Sequence, residues 1–357
     1  MTLDLIRVLV GLVLLVVGAQ GLVRGAVGLA RRAGVSSLLI GLTVVAFGTS
    51  TPEVAVSVES ALLGQGGVAL GNVIGSNVFN ILVILGLSAV ITPLMVRSQL
   101  IRLDVPLMVL ASAAPLVLGL DGRIGRPDGI ILLAALLLYL VFLGLLARRQ
   151  RATAVPGDEP ERYRDRWPVA VAFGVGGLVL LSVGADQLVQ GAVGVAARMG
   201  VNDVVVGLTV VAAGTSLPEL ATSVAASLRD ERDLAVGNVV GSNVFNALGV
   251  LGAGAAVSGG IPVSPGMYAL DFPVMMAVAL ICLPVFVTGW SISRAEGSVF
   301  LLYYAAYMTY LILHATDHAL HDEFGLLVTG VVLPLTLAVG GAAAVRGWLA
   351  GRDGGEP

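Results

Sequence analysis

Long apolar runs, each broken by only a few charged or helix-interrupting residues, follow one another along nearly the whole chain. A membrane span needs about 20 mostly apolar residues. That length picks out eleven segments, approximately 3–30, 36–62, 68–93, 101–120, 129–147, 167–197, 203–228, 234–258, 267–288, 297–314 and 324–346. Between the fifth and sixth lies a polar linker from Arg148 to Arg166, ending in PGDEPERYRDR. The first run follows Asp4 and Arg7 in the manner of a signal peptide, but it aligns without gaps onto an internal segment. A duplicated segment is read as a span, because a signal would be cleaved away.

The duplication is extensive. Laying Gly11 to Asn80 over Gly177 to Asn246 gives roughly 43 identities in 70 positions, far beyond chance. A weaker likeness continues to Leu103-Asp104-Val105-Pro106 against Leu270-Asp271-Phe272-Pro273. Five spans per copy is an odd number, so the second copy must enter the membrane from the opposite side. The predicted fold is an all-α polytopic membrane protein of two inverted five-helix repeats plus an extra C-terminal helix, about eleven spans. The repeats cover 1–147 (motif 41–80) and 167–316 (motif 207–246), joined by a cytoplasmic linker at 148–166 and followed by the added helix and tail at 317–357.

Arginine placement in short loops sets the expected orientation. With the N-terminus outside, the inner loops hold Arg31, Arg32, Arg97, Arg102, the linker, Arg229, Arg232 and Arg294, and the inner tail Arg346 and Arg352. Only Arg123, Arg126 and Arg198 stay outside. The expectation is a multi-pass protein of the cell inner membrane, N-terminus out and C-terminus in.

Composition agrees. Charged residues are 12% of the 357, too few to cover a soluble domain of this size, and the mean hydropathy is +0.96. The single Cys282 excludes a disulfide framework or a Cys-rich metal site. A net charge of -3, dispersed along the chain, excludes nucleic acid as a partner. No cofactor and no obligatory protein partner is evident.

Two motifs carry the chemistry. GLTVVAFGTSTPE at Gly41 to Glu53 returns as GLTVVAAGTSLPE at Gly207 to Glu219. A carboxylate at mid-membrane costs at least about 2.5 kcal/mol, so Glu53 and Glu219 are functional candidates by default. Helical spacing puts Ser50, Glu53 and Ser57 on one face, and Ser216, Glu219 and Ser223 likewise. Pro52 has no amide proton for the carbonyl of Gly48, nor Pro218 for Gly214, which frees carbonyl oxygens near each glutamate. Hard cations such as calcium collect six to eight such oxygens. Two glutamates balance one divalent ion, two monovalent ions or two protons. GNVIGSNVFN at Gly71 to Asn80 and GNVVGSNVFN at Gly237 to Asn246 add polar stripes, Asn72-Ser76-Asn80 and Asn238-Ser242-Asn246. The Gly71/Gly75 and Gly237/Gly241 pairs have the spacing of close helix packing, a role that needs no ligand.

With both motifs in view, the chain resembles the sodium/calcium exchanger superfamily, the cation/Ca2+ antiporters, and especially its prokaryotic members. The resemblance covers Gly11 to about Pro106 and Gly177 to about Pro273. It implies that Glu53 and Glu219 ligate Ca2+ with help from the carbonyls of Thr49 and Thr215. It further implies Na+ or auxiliary positions lined by Ala46, Ser50 and Ser76 and by Ala212, Ser216 and Ser242, with Asn80 and Asn246 at the middle. Family members often have aspartate where this chain has Asn246.

The expected activity is therefore secondary antiport of Ca2+ against Na+ by alternating access, with spans 1 and 6 sliding across the ion-holding spans 2, 3, 7 and 8. An H+-coupled Ca2+ or other divalent-cation antiporter is the alternative, kept open by Asn246, and a passive cation channel is a further one. No nucleophile, histidine and acid come together at membrane depth, so an enzyme is not expected. Asp104 and Asp271 read as helix-entry or gating groups. Glu59 and Asp186 lack a counterpart in the other repeat. His314, Asp317, His318, His321 and Asp322 form a polar turn whose spacing could also hold a transition metal.

Overall fold

The computed structural model describes residues 1–153, 167–201, 203–287, 290–316, 318–328 and 330. Helices cover each of the first ten expected spans among these residues. Eight helices are long and apolar enough to cross a membrane, nine with the bent pair at Ser37–Leu62 taken as one. The expected eleventh span, about 324–346, lies mostly outside the described residues, as does most of the linker.

The first repeat contains α1 (Thr2–Ala33), α2 (Ser37–Thr49), α3 (Thr51–Leu62), α4 (Gly66–Ile91), α5 (Leu100–Leu118) and α6 (Arg126–Arg149). The second contains α7 (Trp167–Arg198), the segmented α8 (203–214), α9 (Leu217–Leu228), α10 (Arg232–Ser258), α11 (Met267–Val287) and α12 (Arg294–Ala315). A short α13 (His321–Leu327) follows. α10 is buried along all but its ends and α4 largely so, whereas α6 is mostly exposed, α12 has few buried residues, and both turn apolar surfaces outward. Hydrophobic residues outside and polar ones at the centre is the arrangement a lipid solvent favours.

Two short strand pairs establish the inversion. β1 (Leu94–Met95), after α4, pairs antiparallel with β4 (Ser291–Ile292), before α12. β2 (Arg123–Gly125), before α6, pairs with β3 (Gly260–Pro262), after α10. The loop after the third span of one repeat thus meets the loop before the fifth span of the other, at each end of the bundle. Repeats entering from the same side would put those loops at opposite ends.

α1 and α7 are each 32 residues, about 48 Å at 1.5 Å per residue. That exceeds the roughly 30 Å hydrocarbon layer, as expected for tilted helices. They pack antiparallel along a seam with glycine at every seventh position, Gly11, Gly18 and Gly25 against Gly177, Gly184 and Gly191. A Cβ on Gly18 would lie 2.8 Å from the Leu181 nitrogen and 2.9 Å from the Gly177 oxygen. The backbones touch, so only glycine fits. At one end Asp4 accepts from Nε of Arg198 at 2.8 Å and from the N-terminal amine at 2.7 Å. Overpacking of this kind costs about 1–3 kcal/mol. Gly18→Ala is expected to lower the apparent melting temperature in detergent by several degrees. Gly21→Ala, whose new methyl would have no neighbour closer than 3.4 Å, should leave it nearly unchanged; thermal unfolding followed by fluorescence checks both.

Candidate cation site

Each glutamate enters the centre through a broken helix. α2 and α3 meet at a 45° bend, and the joint residue Ser50 has φ −80° and ψ 7°. Ser216 repeats this with φ −88° and ψ 5°. Pro52 and Pro218 stand in the first turns of α3 and α9, where a missing amide proton costs nothing. Glu53 and Glu219 follow in those first turns, where the helix dipole favours negative charge. π-helical turns occur in matching pairs, Gly41–Val45 with Gly207–Val211 and Asn80–Leu85 with Asn246–Val250. Such turns widen a helix and commonly mark functional positions.

The two repeats meet by exchanging hydrogen bonds. Ser216 Oγ donates to Glu53 Oε1 and Ser50 Oγ donates to Glu219 Oε1, both at 3.0 Å. Both glutamates are fully buried, and among the described residues neither forms an ion pair. Their second oxygens, Oε2 of Glu53 and of Glu219, have no hydrogen-bond partner. Asn80 Oδ1, Asn246 Oδ1 and Ser242 Oγ are buried and unpartnered as well.

The surrounding network fixes which amide atoms remain unused. Ser76 Oγ donates to the Asn72 carbonyl at 2.7 Å, so it accepts from Asn246 Nδ2 at 3.0 Å. Asn243 Nδ2 donates to the Asn77 carbonyl at 3.3 Å, so its Oδ1 accepts from Asn80 Nδ2 at 2.9 Å. One N–H of each of the Asn80 and Asn246 amides is thereby used, which fixes the amide orientation and leaves both oxygens unpartnered. A buried acceptor without a donor is expensive. A cation relieves several such acceptors at once, and this donor set of carboxylate, amide and hydroxyl oxygens suits a hard ion.

Some expected residues serve differently. The helix breaks at Ser50, so the supposed common face of Ser50, Glu53 and Ser57 is not continuous. Ser50 reaches the opposite repeat's glutamate, whereas Ser57 Oγ accepts from Asn72 Nδ2 at 2.9 Å. Ser223 and Asn238 repeat that brace at 2.9 Å. Asn72 and Asn238 in turn accept from the hydroxyls of Thr215 and Thr49, at 3.3 and 3.2 Å. Asn77 and Asn243, absent from the sequence expectations, clamp α4 and α10 together by donating to each other's carbonyls at 3.3 Å. Their identity in both repeats was the available signal, hidden because they lie off the polar stripe.

The near-symmetry fails in one place. α2 packs tightly on α10: a Cβ on Gly237 would lie 2.7 Å from the Leu38 oxygen, and one on Gly241 2.7 Å from the Leu42 oxygen and 2.8 Å from the Ala46 Cβ. The matching Gly71 and Gly75 on α4 have open space where a Cβ would go. Ala46 and Thr49 are accordingly buried, while Ala212 is exposed and Thr215 half-buried. The α2 side of the centre is tightly packed and its α8 counterpart loosely packed, while both glutamates stay buried.

The other ionisable candidates stand apart from this network. Asp104 is buried and accepts from Gln99 Nε2 at 3.1 Å; Asp271 is half-buried with the Tyr307 hydroxyl at 3.5 Å. Glu59 and Asp186 are exposed. His314 and His321 stack with Tyr310, and among the described residues no three His, Cys, Asp or Glu side chains gather as a metal site. Asp317 lies outside those residues.

Residues 4–145 and 169–313 match the family described as sodium/calcium exchanger protein. The chain is 38% identical to the putative antiporter CaxA of Alkalimonas amylolytica over 313 residues, 85% of this chain and 96% of that one. It is 30% identical to the sodium/calcium exchanger MaX1 of Methanosarcina acetivorans over 348 residues, 87% and 99% of the respective chains. The fold superposes on the sodium-calcium exchanger NCX_Mj, soaked with Na+ and Sr2+, with a TM-score of 0.73 at 32% identity, covering 88% of this chain and 98% of the other. Inverted helical repeats, matching motifs and this likeness along nearly the full length place the chain in the sodium/calcium exchanger protein family, as a multi-pass membrane cation antiporter.

Proposed function

We propose that the chain exchanges Ca2+ for Na+ at a midplane site whose principal ligands are Glu53 and Glu219. The unpartnered oxygens between the repeats carry this reading: Oε2 of each glutamate, with Oδ1 of Asn80 and Asn246. Calcium would bridge the two carboxylates, and the backbone carbonyls of Thr49 and Thr215 would complete part of its shell. Sodium would take positions beside it, on the one hand near Ala46, Ser50 and Ser76, on the other near Ala212, Ser216 and Ser242. The two cations share the glutamates, so binding one weakens the other, and that competition couples their movements.

The neutral Asn246 supports one further reading, in which protons replace sodium. With two carboxylates rather than three, the site can be neutralised by two protons or one calcium. Calcium uptake into proteoliposomes loaded with Na+, beside vesicles given only an outward H+ gradient, separates the two. Sodium-driven uptake is expected, and uptake driven by protons alone would transfer the assignment. Glu53→Gln leaves the opposite carboxylate and the oxygen cluster without half their charge. Breaking a buried charge arrangement costs about 3–5 kcal/mol, so calcium affinity should fall by at least about tenfold. Normal transport by this variant would exclude the two-glutamate site.

The uneven packing supports alternation between two mirror-related states. In the other state α8 would settle onto Gly71 and Gly75 as α2 now sits on Gly237 and Gly241, and α2 would withdraw. With the N-terminus outside, the loosely packed side beside α4 faces outward. Gly75→Leu fits the present arrangement because nothing lies near its Cβ. It is expected to retain calcium binding, measured by calorimetry, while slowing exchange at least about tenfold, since overpacking of about 1–3 kcal/mol would oppose closure. Exchange at the wild-type rate would show that α8 does not close there.

A further inference from the structure

The two acids that break the repeat, Glu59 and Asp186, border one gap. α9 packs along α1 through Leu217, Ala221 and Ala225. Their counterparts on α3, Thr51, Ala55 and Glu59, are exposed, because α3 and α7 hardly touch. Likewise Val23 and Val27 of α1 are buried, whereas the matching Val189 and Val193 of α7 are only half-buried. Asp186 shares the face of Val189 and Val193 by its i, i+3, i+7 spacing. Gly67 and Gly71 on α4 have open space where a Cβ would go. A gap therefore opens between α3, α4, α7 and the loosely packed α8, at the end of the bundle where α1 begins.

Asp186 lies twelve residues before the end of α7 at Arg198, about 18 Å along the helix. With the roughly 18 Å excess of α7 over the hydrocarbon layer shared between its ends, this carboxylate falls about 9 Å inside that layer. Glu59 stands three residues before the end of α3 at Leu62. Among the described residues neither carboxylate forms an ion pair. Asp186 accepts from Gln190 Nε2 at 2.8 Å, which leaves its charge unbalanced. Exposed acids at membrane depth face water-filled space rather than lipid, so this gap holds water. The matching positions of the other repeat are Ala225 and Gln20, both uncharged. The negative charge is thus confined to one side of the centre.

We propose that Glu59 and Asp186 line a water-filled mouth that draws cations from the side of the N-terminus towards Glu53 and Glu219, with no equivalent on the opposite side. This rests on the cation exchange proposed above, and with the N-terminus outside the charged mouth is the outer one. The two acids steer ions and do not ligate them. In water a divalent ion about 10 Å from one carboxylate is concentrated about fourfold and a monovalent ion about twofold. Both gains fade as salt shortens the screening length. The mouth therefore favours calcium over sodium on the charged side, before either ion reaches the buried pair.

Cys282 is the chain's single cysteine and is buried, so a thiol placed in the gap is the reactive one. Glu59→Cys and Asp186→Cys, full-length in proteoliposomes, are treated at low ionic strength with methanethiosulfonates bearing a trimethylammonium or a sulfonate group. Both thiols should react. The remaining acid should favour the cationic reagent about fourfold more than free cysteine does, a twofold gain for one charge against a twofold loss for the other. Adding Asp186→Gln to Glu59→Cys should abolish that preference. In calcium uptake from the same side, Glu59→Ala and Asp186→Gln each install the residue of the other repeat, so both should fold. Each should raise half-saturating calcium about fourfold at an unchanged maximal rate, and the difference should vanish in about 0.3 M choline chloride. Failure of either thiol to react would put it in lipid or in packing and overturn the proposal. A charge preference equal to that of free cysteine, or unchanged half-saturation in both variants, would overturn it too. Labelling needs no transport, so a protein that moved no calcium would sink the exchange reading while the charge preference still decided this one.

Discussion

Two carboxylates buried without a counter-charge govern the rest of this molecule. Glu53 and Glu219 each receive one hydroxyl bond from the other repeat, which holds Oε1 and leaves Oε2 open. A lipid-embedded protein can sustain such a pair only if an ion completes it or if the surrounding structure holds the groups in place at a cost. The broken helices supply the holding. Each break puts its glutamate in the first turn of a new helix and puts the preceding serine within reach of the opposite repeat.

The asparagines give the site its sign. Were the Asn80 and Asn246 amides turned the other way, N–H donors would be left over and an anion would suit. Ser76 and Asn243 prevent this, because their own donors are committed to backbone carbonyls. Their remaining acceptors then each take one amide proton, which fixes the orientation and leaves the amide oxygens unpartnered. Asn77 and Asn243 lock α4 to α10 at the same level, so the oxygens stay in position.

Around this fixed centre the packing is uneven in a way the sequence is not. Gly71 and Gly75 have the same spacing as Gly237 and Gly241, yet only the second pair receives a helix. Identical surfaces with different occupants are what a device with two mirror-related states requires, since either half can take the role of the other. The α1–α7 seam, glycine against backbone along its length, joins those helices into one stiff unit. The strand pairs clasp the repeats at both ends of the bundle.

Much of this was legible in the sequence because it is periodic or duplicated. The apolar run lengths located the spans, the odd number of spans per copy required inversion, and Glu53 and Glu219 announced themselves as charges where lipid tolerates few. Other features depend on residues far apart in the chain. Ser57 shares α3 with Glu53 yet braces Asn72, because helical spacing gives the face of a side chain and not the neighbour it meets. The exchanged serine–glutamate bonds, the Thr49–Asn238 contact and the Asn77–Asn243 clamp arise from contacts across some 160–190 residues. Local sequence determined which groups enter the membrane; only the tertiary structure decided which of their atoms remain unsatisfied, since a hydrogen bond is completed by a partner that the local pattern does not contain.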